Sequence, residues 1–336
     1  MLKQIGLAVI GSGRVAHTHL TAINDLKDKA ELIATIDIVE EVAKESALKF
    51  KAKRYYTSLD DALNDKEINA VVICLPHYLH KDACIKAAKM GKNILIEKPL
   101  TNTVAEAKEV IETASHNDIK LMVGQSQRFH TAAMESKKLF NSGKIGDIID
   151  ISVSLLGYVD KPPTLWWTSK EKTGGLLIPL WGSHIIDYVL WLTGRFPSRV
   201  YAETLSFNPV WEGEDEVNIV LGFDENMITN IVMSYNAHTS QSAGEGFILP
   251  TPKYNRYIIG TKGTLHLTDY TELFLNEEII VSGEQKPSIF YLQMEEFLNS
   301  ILEDREPCIS GKDGFKVMQV MEACRTSAEK HEIIRF

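Results

Sequence analysis

Hydrophobic and polar positions change period along this chain. Up to about residue 124, short aliphatic and β-branched runs alternate with stretches whose apolar residues recur at helical spacing. The runs predict strands at Gln4–Ile10, Glu31–Asp37, Arg54–Tyr56, Ala70–Leu75, Asn93–Ile96 and Lys120–Gly124. The stretches between them predict helices after Gly13, up to Phe50, and at Leu59–Leu63, His80–Met90 and Val104–His116. Strands apolar along their whole length, separated by helices, signal a parallel sheet covered on both faces.

Beyond about residue 125 the period shortens. A helix at Ala132–Ser142 leads into alternating segments at Ile148–Gly157, Ser198–Ser206, Glu216–Phe223 and Ile228–Tyr235, then at Tyr254–Gly260, Thr264–Thr268 and Leu273–Leu275. Turns such as Asp224-Glu225-Asn226 and Lys262-Gly263 separate close neighbours, which predicts an antiparallel sheet. A helix over Gly182–Leu192, stopped by Gly194, interrupts it, and helices at Tyr291–Leu302 and Gly311–Lys330 close the chain. The reading is an α/β N-terminal domain at residues 1–124 and an α+β C-terminal domain at 125–336. The second carries a large, mostly antiparallel open sheet, and the final helices are expected to pack back on the first. An open sheet of that size is expected to cover its free face with a second copy, as a homodimer or homotetramer.

Composition narrows the function classes. The 336 residues carry a formal net charge of -9, the wrong sign for a nucleic-acid or anionic-membrane binder. No unbroken apolar run reaches membrane-span length, and the start lacks a signal-peptide core, so a cytoplasmic location is expected. Cys74, Cys84, Cys308 and Cys324 lack zinc-type spacing and read as reduced thiols, with no metal site implied.

Candidate chemistry begins at Val9-Ile10-Gly11-Ser12-Gly13-Arg14-Val15-Ala16, a G-x-G-x-x-A pattern that follows one strand and opens a helix. Gly11 makes the tight turn, and Gly13 lets backbone amides approach a pyrophosphate. Ala16 allows close helix packing, and the helix N-terminus faces the anion. Asp37 ends the second strand, where an acid binds the adenosine ribose hydroxyls. Ile38 follows and no arginine lies close behind to neutralise a 2′-phosphate, so NAD is favoured over NADP. The cofactor half is therefore a Rossmann-type domain, with Gly11, Ser12, Gly13, Arg14, Val15 and Asp37 as cofactor contacts.

Further along, Glu97-Lys98-Pro99 ends a strand at the sheet's carboxyl edge. On its own this reads equally as a solvated turn or as a lysine that hydrogen-bonds a reacting oxygen. Taken with Val72–His80, Ala88–Lys92, Gly124-Gln125-Ser126-Gln127-Arg128-Phe129, Gly143–Gly146, Ile259–Thr264 and Met321–Cys324, the chain resembles the glucose-fructose oxidoreductase / inositol dehydrogenase (Gfo/Idh/MocA) family almost end to end. The resemblance implies that Lys98 contacts nicotinamide ribose and substrate, and that His184, in Gly182-Ser183-His184-Ile185-Ile186-Asp187, is the acid/base residue. It also implies that Leu75, Pro76, His80, Glu97, Arg128 and Trp167 line the cofactor, and that Lys98, Arg128, His184 and Asp187 face a small polar substrate. His184 and Asp187 sit three apart on a helix and can share one face, while a histidine titrates near neutrality. A core histidine held by backbone is the plainer reading of that residue alone.

One position departs from the family pattern. The segment before the histidine commonly reads D-x-G-x-H, and here Leu180 stands where the aspartate usually is, after Pro179. That substitution removes an ionisable group from the expected site. It leaves three functions open: a dehydrogenase or reductase acting on an alcohol or ketone of a sugar, cyclitol or derivative; a sensor of the same fold without turnover; or an enzyme using NAD as a transient oxidant. Weaker candidates accompany these. Trp166-Trp167 reads equally as a sugar platform or a packed loop. Asn236, His238 and Tyr254 are candidate hydroxyl binders, and His238–Gly246 with Pro250-Thr251-Pro252 reads as a loop over a site. Glu212–Glu216 reads as a solvated turn, and His17 and His19 as helix-surface or cofactor-adjacent residues.

Overall fold

A computed structural model of the chain describes residues 4–224, 226–238 and 252–336. It divides into two compact units, one of residues 1–126 with 286–315 and one of residues 127–285 with 316–336. The first unit is thus discontinuous: the helix Ile289–Leu302 belongs to it, packing on the first helix, with Lys29 Nζ 2.7 Å from Glu295 Oε1.

In the first unit the strands are β1 (Ile5–Ile10), β2 (Ala30–Ile36), β3 (Arg54–Tyr56), β4 (Ala70–Ile73), β5 (Asn93–Glu97) and β6 (Leu121–Gly124). The helices between them are α1 (Arg14–Asp25), α2 (Glu40–Phe50), α3 (Leu59–Leu63), α4 (His80–Lys89) and α5 (Val104–His116). All pairings are parallel, in the order β3-β2-β1-β4-β5-β6. Every residue of β1, β4 and β6 is buried, which is why these strands read as continuous apolar runs rather than as alternations. The register pairs Ile10 with both Ile36 and Ile73, and Ile73 with Ile96. The carboxyl ends therefore lie flush, and strand order reverses between β1 and β4, where such sheets bind ligands.

The second unit holds α6 (Thr131–Asn141), β7 (Ile148–Leu156), α7 (Lys170–Thr173), α8 (Ser183–Thr193) and the strands β8 (Arg199–Leu205), β9 (Glu216–Phe223), β10 (Met227–Ser234), β11 (Lys253–Gly260), β12 (Thr264–Thr268), β13 (Glu272–Leu275), β14 (Glu278–Val281) and β15 (Ile334–Arg335). They form one sheet in the order β14-β13-β12-β11-β7-β10-β9-β8-β15. The sheet is mostly antiparallel, as expected, with one parallel pair, β10 with β7. A long helical crossover through α7 and α8 separates β7 from the β8-β9-β10 meander, and such crossovers permit parallel pairing. β14 was hidden because its residues are mostly exposed and show no alternation. The last helix spans Gly311–Lys330.

Two further readings change. The helical run Lys170–Thr193 is long and apolar enough to cross a bilayer by composition, but 83% of its apolar window is buried within the fold. The acidic run Glu212–Glu216 is not a solvated turn. Glu214 and Asp215 are buried, and Asp215 accepts the amides of Phe207 and Asn208. Glu214 Oε1 accepts the amides of Leu176 (3.0 Å) and Ile178 (2.9 Å), while its own carbonyl accepts that of Leu177. One residue thus satisfies three successive amides at the start of the turns leading into α8, where a negative charge also suits the helix dipole. Replacing Glu214 by alanine strands two buried amides, so Glu214→Ala should lower unfolding free energy by about 3 kcal/mol. Urea denaturation checks this, and wild-type stability contradicts it.

Candidate active site

The glycine turn is built as its sequence requires. Gly11 has φ +86°, and a Cβ there would lie 2.6 Å from the Cys74 carbonyl oxygen. Its amide donates to the Ile36 carbonyl at 2.8 Å, tying the turn to β2. Asp37, just past β2, holds the loop from the other side: Oδ2 accepts the Ser12 amide at 3.0 Å and Oδ1 the Val39 amide at 3.1 Å. Ile38 beside it is 91% exposed.

The loop fits a dinucleotide pyrophosphate on three observations. The start of α1, at Gly13, Arg14 and Val15, has no side-chain cap and no acid in its first turn. Open space lies over Gly13, where a Cβ would meet nothing within 4 Å. Ser12 is buried, yet its Oγ has no hydrogen-bond partner among the described residues. Unpaired donors at a helix N-terminus form a ready anion site.

Across the reversal point, β4 leads into Leu75-Pro76 and β5 ends at Glu97 before Lys98, and the Lys98–Pro99 peptide is cis. His80 is buried, with Nε2 2.8 Å from the Leu75 carbonyl and Nδ1 2.9 Å from that of Pro99. Its ring thus braces the ends of two neighbouring strands, and burial pushes its pKa below the ordinary histidine value. Lys98 keeps part of its surface accessible. Burial pushes its ammonium down to about 8, against the opposing pull of the Glu97 carboxylate. His19, expected at a helix surface or beside the cofactor, is fully buried with Nε2 2.7 Å from Glu97 Oε1. His17, half-buried, lies 5.2 Å from the Phe50 ring. The helical spacing of α1 does predict that His19 shares the buried side with Ala16 and Leu20; that signal was available in the sequence.

In the second unit, His184 lies in the first turn of α8 and is buried, and Asp187 follows on the same helix. Both Asp187 oxygens are taken by Arg128, Nε at 2.7 Å and Nη2 at 2.6 Å, a buried bidentate pair. Leu180 is buried in the turn before α8, so the departure from the family pattern stands as an apolar side chain. Beside it Trp181 donates to the Tyr235 hydroxyl at 2.7 Å. Trp167 is half-buried and meets Trp166 edge-on at 6.2 Å.

The weaker hydroxyl-binding candidates separate. Asn236 donates to Glu216 Oε1 at 2.9 Å, and His238 stacks on Tyr158 at 4.1 Å. Tyr254 is fully buried, its ring 4.3 Å from the Arg256 guanidinium, so it belongs to the core under the sheet rather than to a substrate surface. Residues 239–251 of the expected loop lie outside the described residues. Among the described residues no cluster of three or more His, Cys, Asp or Glu side chains is arranged to hold a metal ion.

Comparison with known proteins agrees with this fold. A curated relative from Mediterraneibacter gnavus, 2,7-anhydro-N-acetylneuraminate hydratase, is 28% identical over 270 residues, covering 79% of this chain and 68% of that protein. A solved levoglucosan dehydrogenase in complex with NADH superposes with a TM-score of 0.90 at 21% identity, covering 99% of both chains. An aldose-aldose oxidoreductase from Caulobacter crescentus gives a TM-score of 0.87 at 23% identity, covering 99% of this chain and 100% of that one. At these identities the two structures speak to the fold. Residues 5–125 match the family model of the oxidoreductase family with an NAD-binding Rossmann fold, and residues 134–266 match the GFO/IDH/MocA C-terminal domain. The chain belongs to the Gfo/Idh/MocA family of NAD-binding oxidoreductases.

Proposed function

We propose that this protein is an NAD-dependent dehydrogenase or reductase that moves hydride between nicotinamide and a secondary alcohol or ketone of a sugar, cyclitol or sugar derivative. Lys98 carries the reading: a lysine at the carboxyl end of β5, in the unit that holds the glycine loop, with its ammonium pushed down to about 8. NAD, when bound, supplies the nicotinamide carbon that takes or gives the hydride. Gly11, Ser12, Gly13, Arg14 and Val15 hold the pyrophosphate, and Asp37 the adenosine ribose. No arginine follows closely behind Asp37 in the chain to offset a 2′-phosphate, which favours NAD over NADP. Lys98 holds the reacting oxygen, and His184 takes or returns its proton. Asp187 and Arg128 orient one another and the start of α8 that carries His184. Trp167, Leu75 and Pro76 supply apolar contacts to the nicotinamide end. The sugar class is supported by the names of the structural neighbours, a levoglucosan dehydrogenase and an aldose-aldose oxidoreductase.

A second reading has its own support. Leu180 removes a carboxylate, and the Mediterraneibacter gnavus relative is named a hydratase. An enzyme that oxidises its substrate transiently and then restores NAD would turn over without accumulating NADH.

The outer face of the second unit's sheet exposes alternate residues Val220, Ile228, Val232, Tyr257 and Ile259. There Tyr257 stacks flat on His266 at 4.1 Å. We assign this face to self-association, as a homodimer or homotetramer. Sedimentation equilibrium should give at least twice the chain mass, and a monomer at micromolar concentration contradicts the assignment.

The pH dependence tests the chemistry. A lysine is cationic below its pKa, and only the ammonium polarises a ketone. The kcat/KM for ketone reduction should therefore fall as pH rises through about 8. For alcohol oxidation the neutral amine accepts the hydroxyl hydrogen bond, so kcat/KM should rise through the same range. Initial rates in both directions on a panel of sugars, cyclitols and their keto forms measure this, and a flat profile through that range contradicts the role of Lys98.

A further inference from the structure

We propose that His19 is a positioning residue for Lys98, acting through the Glu97 carboxylate that it clamps. The inference rests on the reading of Lys98 as the group that holds the reacting oxygen. His19 stands in the second turn of α1, the helix that opens at the glycine loop, and its side chain is fully buried. Its Nε2 lies 2.7 Å from Glu97 Oε1. The other carboxylate oxygen, Oε2, accepts the backbone amide of Lys98 at 3.3 Å. The two oxygens thus have different partners, and both the plane of the carboxylate and the turn at Lys98 are fixed. The neighbouring strand leaves room for this: a Cβ at Gly124 would come within 3.3 Å of Glu97 Oε1. Phe290 meets the His19 ring edge-on at 5.1 Å and prevents it from swinging away.

The tautomer follows from the partners. A carboxylate only accepts, so Nε2 carries the proton. Nδ1 is buried and has no partner among the described residues, and a second proton there would leave a buried donor unmatched. His19 therefore holds the Glu97 carboxylate in place through a single N–H. The other titratable groups facing that carboxylate are Cys74 from the end of β4, pushed up by burial, and His80 from α4, whose nitrogens are both on carbonyls. Glu97 is the nearby charge that opposes the burial of Lys98, so whatever fixes Glu97 also sets where Lys98 titrates.

The test reads Lys98 directly in the intact protein, without substrate. Trace acetic anhydride acylates only neutral amines, and mass spectrometry of the Lys98 peptide against pH gives its midpoint. The wild type should titrate near 8. Glu97→Gln removes the charge that favours the ammonium, and the midpoint should drop by about one pH unit. His19→Leu keeps the packing but loses the donor, so it should move the midpoint the same way. His19→Gln, which restores an N–H, should bring it back. A purely structural histidine would alter thermal stability and leave the midpoint in place, and that result overturns the proposal. Nitrogen NMR of His19 in the wild type must show the Nε2–H tautomer. An Nδ1–H tautomer overturns the proposal even where His19→Leu does not fold. Failure of the parent reading looks different: Lys98→Met would leave hydride transfer intact while the labelling midpoints still shift.

Discussion

Glu97 ends the fifth strand of a parallel sheet with one carboxylate oxygen on a buried histidine and the other on the next residue's amide. A carboxylate so little exposed is held in place only if its lone pairs are matched. Here the match is made by α1, by β5 itself and by the space that Gly124 leaves. The same helix α1 begins at the glycine turn and carries the His19 that holds the Glu97 carboxylate. His80 performs a parallel task one strand away, holding the Leu75 and Pro99 carbonyls in a constant relation. The nucleotide-binding unit is thus an apolar sheet whose polar investment is concentrated at one edge.

The second unit makes a similar use of buried charge. Glu214 takes up three successive amides ahead of α8, and Asp187 takes up the Arg128 guanidinium within that helix. Between them they determine where the helix starts and how its first turn, with His184, is oriented. Leu180 lies in the same stretch. Where the family pattern has a carboxylate, this chain has an apolar contact, and its acids are committed to backbone amides and to arginine instead. The backbone that carries His184 is secured independently of that substitution.

The parallel unit was legible because each of its signals has a local cause. The continuous apolar runs follow from burial on both faces, Gly11 from a left-handed turn and Asp37 from the end of β2. What escaped reading depends on distant partners. Nothing local distinguishes Glu212–Glu216 from a solvated turn, since the amides that need Glu214 lie far away at residues 176–178. His19 reads as a helix-surface or cofactor-adjacent residue because its partner Glu97 is remote in sequence, although its place beside Leu20 on the apolar side of α1 is visible. β14 has no hydrophobic alternation to betray it, and the parallel β7–β10 pair depends on a crossover rather than on either strand's residues. Nothing in the sequence places the Arg256 guanidinium over the Tyr254 ring, the contact that sets this residue in the core.

Isotope transfer tests the central claim most directly. NADH carrying deuterium on the transferable face of its nicotinamide is mixed with the enzyme and a panel of keto-sugars and keto-cyclitols, and the products are examined by mass spectrometry. Deuterium should appear on the carbinol carbon of at least one product with the wild-type enzyme, and Lys98→Met should lower its rate by about a hundredfold or more, as loss of a charge-assisted contact to a reacting oxygen does. NADH that binds tightly yet delivers deuterium to no member of the panel would contradict that claim.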